Sequence, residues 1–302
     1  MIRYLVQHIF ARFRRMVAAR KGSSSYWSVH MVAHEEFHSP EQSLDHFHWR
    51  NAQYPGYIEL MPVSGQDDKV VLDYGCGPGN DLVGFTEMSR PKELYGVDVS
   101  VPALELAKSR LTLHGGKIEY VQVEETANEI PLPSESVDYI HSSGVLHHCQ
   151  NLESILSEFD RILKPDGEVS VMVYNYNSIW LHLYVAYVWQ LERRKYANLP
   201  IEDAFRRSTD GEDCPISKCY TFDQFTEIFR SAGFKCEDKG ASISLTELKL
   251  LDRRYDAIGD KRLSREHRDF LSSLTFDNRG TPLYLGEVAG INGCYKFRKA
   301  AQ

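Results

Sequence analysis

Asp73-Tyr74-Gly75-Cys76-Gly77-Pro78-Gly79 follows the short apolar run Val70-Val71-Leu72. Glycines at alternate positions let a backbone approach a ligand closely and take left-handed φ angles. A helix starting there offers unpaired N–H groups to negative charge. At the carboxyl end of a first strand, this turn lies where open α/β sheets bind ligands. Asp98 ends a second apolar run, Leu94-Tyr95-Gly96-Val97. A carboxylate there can accept hydrogen bonds from both hydroxyls of a ribose. The pattern is D-x-G-x-G-x-G, whereas the G-x-G-x-x-G of dinucleotide turns needs glycine where this chain has Asn80. An NAD-dependent oxidoreductase is thereby disfavoured.

The elements that must position these residues read as alternating strands and helices from residue 69. Strands are expected at 70–72, 94–97, 118–123, 137–140 and 169–174, with helices at about 80–89, 101–113 and 151–163. Strands spaced by helical segments imply βαβ units and a mostly parallel sheet. Residues 176–220 interrupt the rhythm with an aromatic helix and a polar loop. A helix over 221–232 stops at Gly233, and 284–298 alternates apolar and polar around Asn292-Gly293, a hairpin signal. The expectation is a doubly wound α/β fold. It has a mostly parallel seven-stranded sheet, an antiparallel C-terminal hairpin, an N-terminal helical lid over 1–68, and a domain over 69–302 with an insertion at 176–220.

The turn resembles motif I of class I, Rossmann-like S-adenosylmethionine-dependent methyltransferases. The likeness extends to Ile130-Pro131-Leu132-Pro133 before Val137-Asp138-Tyr139-Ile140, to Gly144-Val145-Leu146-His147-His148, and to Leu163-Lys164-Pro165-Asp166-Gly167. Within that class the chain is most similar to the small-molecule enzymes of ubiquinone and menaquinone biosynthesis. The resemblance implies S-adenosylmethionine as cofactor. Asp73, Gly75, Cys76, Gly77 and Gly79 would surround its amino-acid end, with Asp73 orienting the turn or, through water, the ammonium. Asp98 would take the ribose, with Val99 and Ser143 also in the cofactor site. The family usually has an acid followed by Ala at the adenine. Here Thr126-Ala127 stands there with Glu124 and Glu125 before it, so either Glu125 reaches the adenine or Thr126 and the backbone do.

Strand five's end faces the acceptor in this fold, and Tyr174, Tyr176 and Trp180 follow it. Aromatics with polar tips suit a pocket wall. Tyr26 and Trp27 are assigned to the same pocket. Arg206 and Arg207 are candidates to clamp a carboxylate or phosphate. His147, His148 and Tyr174 are the candidate proton acceptors, although support of the cofactor is the favoured role for the two histidines. His30, His34 and His38 are spaced for one helix face; packing is preferred over a metal, and no metal site is assigned.

The chain has 302 residues and a formal charge of −7, which argues against broad nucleic-acid binding. Ser142-Ser143-Gly144-Val145 also lacks the segment of base-flipping methyltransferases. Six cysteines form no C-x-x-C pair and are expected to be reduced thiols. No stretch is apolar and long enough to span a bilayer. Residues 1–20 read as a basic amphipathic helix. It is assigned to a lid over the active site rather than to a lipid surface or an organelle address. The expected protein is cytoplasmic, with room for a homodimer. It moves a methyl group to N, O or S of a small polar or anionic metabolite. A non-catalytic, cofactor-binding partner subunit is the alternative.

Overall fold

The computed structural model describes residues 23–30, 36–124 and 129–300. The helix expected over 1–20 lies outside them, as do His34, Glu125, Thr126 and Ala127. In chain order the elements are α1 (Ser23–Trp27), α2 (Pro40–Ala52), α3 (Tyr57–Leu60), β1 (Val70–Tyr74), α4 (Asn80–Met88), β2 (Glu93–Asp98), α5 (Val101–Thr112), β3 (Ile118–Gln122) and β4 (Val137–Ser143). A 3₁₀ turn (Leu146–His148) precedes α6 (Leu152–Ile162) and β5 (Leu163–Asn175). A π-helix (Trp180–Glu192) leads to α7 (Ile201–Thr209), β6 (Cys219–Tyr220), α8 (Phe222–Ser231) and β7 (Phe234–Ser242). Next come α9 (Leu245–Leu250), a 3₁₀ turn (Leu251–Arg253), α10 (Arg254–Gly259) and α11 (Arg265–Ser272). The last strands are β8 (Thr275–Phe276), β9 (Pro282–Tyr284), β10 (Glu287–Val288) and β11 (Asn292–Lys299).

The main sheet runs β3-β2-β1-β4-β5-β11-β7, with the two-residue β6 beside the end of β5. The pairs β1–β2, β2–β3, β1–β4 and β4–β5 are parallel. Strand β11 lies antiparallel to both β5 and β7. The fold is therefore the doubly wound, mostly parallel one that the sequence implies. The order reverses at β1 and β4, and in such sheets the crevice at that point takes the ligand. The C-terminal hairpin is present as β9–β10, turning at Leu285-Gly286, both with positive φ. Asn292-Gly293 instead opens β11, where Asn292 pairs with Tyr174 and Ser242. Lys164-Pro165-Asp166-Gly167, left between the helix expected at 151–163 and the strand expected at 169–174, falls within β5 opposite a break in the β4–β5 register.

Local chemistry sets the helix starts. Ser100 and Asn151 cap α5 and α6 by accepting the N–H of Ala103 and Ser154. Thr221 and Gln224 form a reciprocal capping box on α8. The apolar stripe of α8 (Phe222, Phe225, Phe229) packs on Tyr295 and Phe297 of β11. His30 stacks on Tyr26 just after α1, and His38 precedes α2, so no helix carries His30 and His38 together.

The π-helix packs into a second apolar cluster with α10 and α11. Within it His182 Nδ1 is 2.8 Å from His267 Nδ1, and the His182 ring stacks on Phe270. That contact needs at least one neutral ring. Burial, with repulsion from His267, lowers His182 to about 3; burial lowers His267 as well. Below the ordinary imidazole value of about 6.5 the unfolded chain therefore takes up protons that the folded chain refuses. Stability should be complete above that pH and decline progressively as pH falls toward 3. Melting curves across this range test it, and His182→Phe should flatten the acid limb; an unchanged limb contradicts the assignment.

Candidate active site

The turn after β1 carries the site's first wall. Gly75 N–H and Cys76 N–H both donate to Val97 O, tying the turn to β2. Gly75 has φ +79, and a Cβ there would lie 2.2 Å from Val145 Cγ2. Gly79 is the left-handed N-cap of α4 at φ 81. Its absent side chain makes room for Leu111 and Ala107 of α5, and Gly79 is not among the residues lining the cavity above the turn. Asp98 accepts Gly77 N–H at 2.9 Å and Ser100 N–H at 2.8 Å. A carboxylate has about four acceptor sites, so capacity remains for a ribose hydroxyl. Burial raises the Asp98 carboxyl above its usual range, while the backbone donors oppose this.

A cavity of about 450 Å³ opens above this turn. Gly75, Cys76, Gly77, Pro78, Asp98, Val99 and Ser143 line it on the sheet side. Facing them are residues of α2 and its continuation: Trp49, Arg50, Gln53, Tyr54 and Tyr57. Trp27, His148, Tyr174, Asp210 and Asn292 close the remaining wall. Asp73 of β1, two residues before Gly75, is only 2% exposed and is not among the lining residues; its Oδ2 is unpartnered among the described residues. Burial first, and then the nearby Asp81 and Asp98 carboxylates, push the Asp73 carboxyl well above its usual range.

Arg50 is the one lysine or arginine among the described lining residues. Its Nη1 is 3.3 Å from Asp81 Oδ1, its Nη2 donates to Ser143 Oγ at 3.2 Å, and its guanidinium lies 4.9 Å from the Tyr57 ring centre. The Tyr57 hydroxyl shares a 2.5 Å hydrogen bond with the same Ser143 Oγ. Buried His141 stands 3.4 Å from Asp81 Oδ2. Burial alone would raise the Asp81 carboxyl; Arg50, with His141, more than reverses this and holds it below the usual range. Of these residues, Arg50, Asp81 and His141 escaped the sequence reading. The available signal was the helical spacing of His46, Trp49, Arg50, Gln53 and Tyr54, all of which line the cavity.

The acceptor candidates divide. Tyr174 donates to Asp210 Oδ1 at 2.7 Å, and Trp27 packs on the His148 ring at 4.5 Å. His147 is fully buried, packs against the Tyr174 ring at a tilt, and does not line the cavity. The others are engaged elsewhere. Tyr26 donates to Asp210 O, Tyr176 to Glu266 and the Trp180 indole to Thr209. Arg206 pairs with Asp203 and donates to Cys214 O, and Arg207 pairs with Glu212. None of these five lines the cavity, and the two arginines already have counter-charges.

The residues present fit S-adenosylmethionine. Asp73, two residues before Gly75, has an oxygen orphaned among the described residues, open space meets the missing side chain of Gly77, and Asp98 presents a carboxylate at the end of β2. Strand order and site together define the class: residues 72–171 match the family described as "Methyltransferase domain". This part of the chain is a class I, Rossmann-like S-adenosylmethionine-dependent methyltransferase domain. An uncharacterized methyltransferase of Schizosaccharomyces pombe is 32% identical over 130 residues, 40% of this chain and 45% of that protein. The ubiquinone biosynthesis O-methyltransferase of Dechloromonas aromatica is 33% identical over 111 residues, 36% of this chain and 46% of its own length. The chain thus spans about half the length of these curated relatives. The geranyl diphosphate C-methyltransferase of Streptomyces coelicolor has the same fold, with TM-score 0.53 over 93% of this chain and 98% of that one, at 14% identity. Neither the oxidoreductase nor the non-catalytic reading is favoured by these matches. No described helix is long and apolar enough to cross a membrane.

Proposed function

We propose that the protein transfers the methyl group of S-adenosylmethionine to an N, O or S atom of a small polar metabolite. The observation that carries this is a single cavity joining the glycine turn and Asp98 to Tyr54, Tyr57, Tyr174 and Asp210. Bound there, the cofactor would supply an activated methyl group on a sulfonium. The chain's own residues would bind, orient and exclude water. The Gly75–Gly77 backbone and Asp73 would hold the amino-acid end, with Arg50 the nearby cation for its carboxylate. Asp98 would hold the ribose. Alignment at attack distance supplies about 7–11 kcal/mol of such a barrier without a dedicated base.

At the acceptor end Tyr174 and Asp210 offer a hydroxyl and a carboxylate. A polar acceptor that donates hydrogen bonds suits them, whereas an anionic one needs a cation at that wall. Residues 40–60 carry the opposite wall, which supports a covering role for the segment before β1 and a domain boundary near residue 69. The test is incubation with methyl-labelled S-adenosylmethionine and fractionated metabolites, read by mass spectrometry. A one-methyl gain on a small molecule is expected, with Tyr174→Phe or Trp27→Ala raising acceptor KM several-fold. Label confined to protein or nucleic-acid fractions contradicts the reading.

A further inference from the structure

Three side chains of different chemistry meet at the acceptor wall, away from the glycine turn. One imidazole nitrogen of His148, a carboxylate oxygen of Asp210 and Cys214 Sγ all lie within 4.8 Å of one another. The imidazole comes from the 3₁₀ turn after β4, and the other two come from the loop after α7. His148 Nδ1 is 2.7 Å from Ile216 O, so this nitrogen carries the proton and Nε2 presents its lone pair. Nε2 stands 3.8 Å from Asp210 Oδ1. Tyr174 donates to Oδ1, but Asp210 Oδ2 is buried with no hydrogen-bond partner among the described residues. Nε2 thus points its lone pair toward a carboxylate whose second oxygen has no donor among the described residues, an arrangement that burial makes costly. Cys214 is fully buried and its thiol donates to Ile216 O at 3.3 Å.

We propose that His148, Asp210 and Cys214 bind a divalent cation of zinc's ligand preference. Imidazole, carboxylate and thiolate are all zinc ligands, and three protein ligands leave a fourth position open. His148 and Asp210 line the cavity, so an ion held there would be reached from it. The second shell is already built, because the Ile216 carbonyl orients the imidazole and the Tyr174 hydroxyl orients the carboxylate. Binding balances simply. The S–H bond of Cys214 breaks as the sulfur–metal bond forms, one proton passes to solvent, and His148 and Asp210 ligate without further proton release. No electron changes hands. The open position would take a water or the acceptor's own heteroatom, supplying the positive charge that this acidic wall lacks. Such a site goes beyond methyl transfer, and its occupancy is read without turnover.

The experiment uses the full chain, stripped with a chelator and titrated separately with Zn²⁺ and Co²⁺. One ion per chain is expected, and Co²⁺ should give a thiolate-to-cobalt charge-transfer absorption band. Cys214→Ser should abolish that band, and His148→Ala should weaken Zn²⁺ at least tenfold. Cys214→Ser should still bind S-adenosylmethionine calorimetrically, which shows that the variant folds. Absence of one-to-one binding, or affinity unchanged in both variants, overturns the site. If the wild-type chain binds the metal but not S-adenosylmethionine, the methyl-transfer reading fails and the metal site stands.

Discussion

Arg50→Ala should destabilise the protein by about 2–3 kcal/mol. Removing one partner of a fully buried ion pair costs about 3–5 kcal/mol, because the other charge is left without compensation. Two observations reduce that figure. The Arg50 side chain keeps 22% exposure, and Asp81 retains His141 at 3.4 Å. The variant also loses the hydrogen bond to Ser143 and the contact with the Tyr57 ring. Denaturant unfolding should show a lower midpoint with an unchanged slope. Asp81's depressed carboxyl adds stability at neutral pH that is lost as pH falls through its folded value. Without Arg50 that loss should begin at higher pH. A midpoint within experimental error of wild type contradicts this account of the cavity wall.

Asp98→Ala should weaken S-adenosylmethionine by about ten- to a hundredfold. A hydrogen bond to a charged group contributes about 1.5–3 kcal/mol, and each 1.4 kcal/mol is a factor of ten. Asp98 also fixes Gly77 N–H and Ser100 N–H, so loosening of the turn adds to the loss. Asp98→Asn preserves the shape, retains one acceptor oxygen and should fall between the two. Calorimetry reads both, and an affinity equal to wild type in Asp98→Ala contradicts the assignment of the ribose position.

The sheet and the turn were legible because their signals are local. Apolar runs, glycine spacing and the acid at residue 98 are set by nearest neighbours in the chain. Arg50 on the opposite wall was not, because it precedes the first strand and reaches the cavity only through the packing of α2 against α4. The spacing 46, 49, 50, 53 and 54 hinted at one helix face but said nothing of what that face would meet. Arg206 and Arg207 drew attention as charges, yet Asp203 and Glu212 lie close enough to take them first. The residue of that region in the cavity wall is Asp210, brought to His148 by a contact that local spacing does not encode. Asn292-Gly293 carries a turn signal, but pairing with Tyr174 on one side and Ser242 on the other holds it extended.

The most direct measurement is a calorimetric titration of the full chain with S-adenosylmethionine, S-adenosylhomocysteine and NAD in parallel. The account predicts one-to-one binding of the first two, weakened by Asp98→Ala, and no binding of NAD. Binding of NAD in preference, or no binding of S-adenosylmethionine to folded protein, would contradict it.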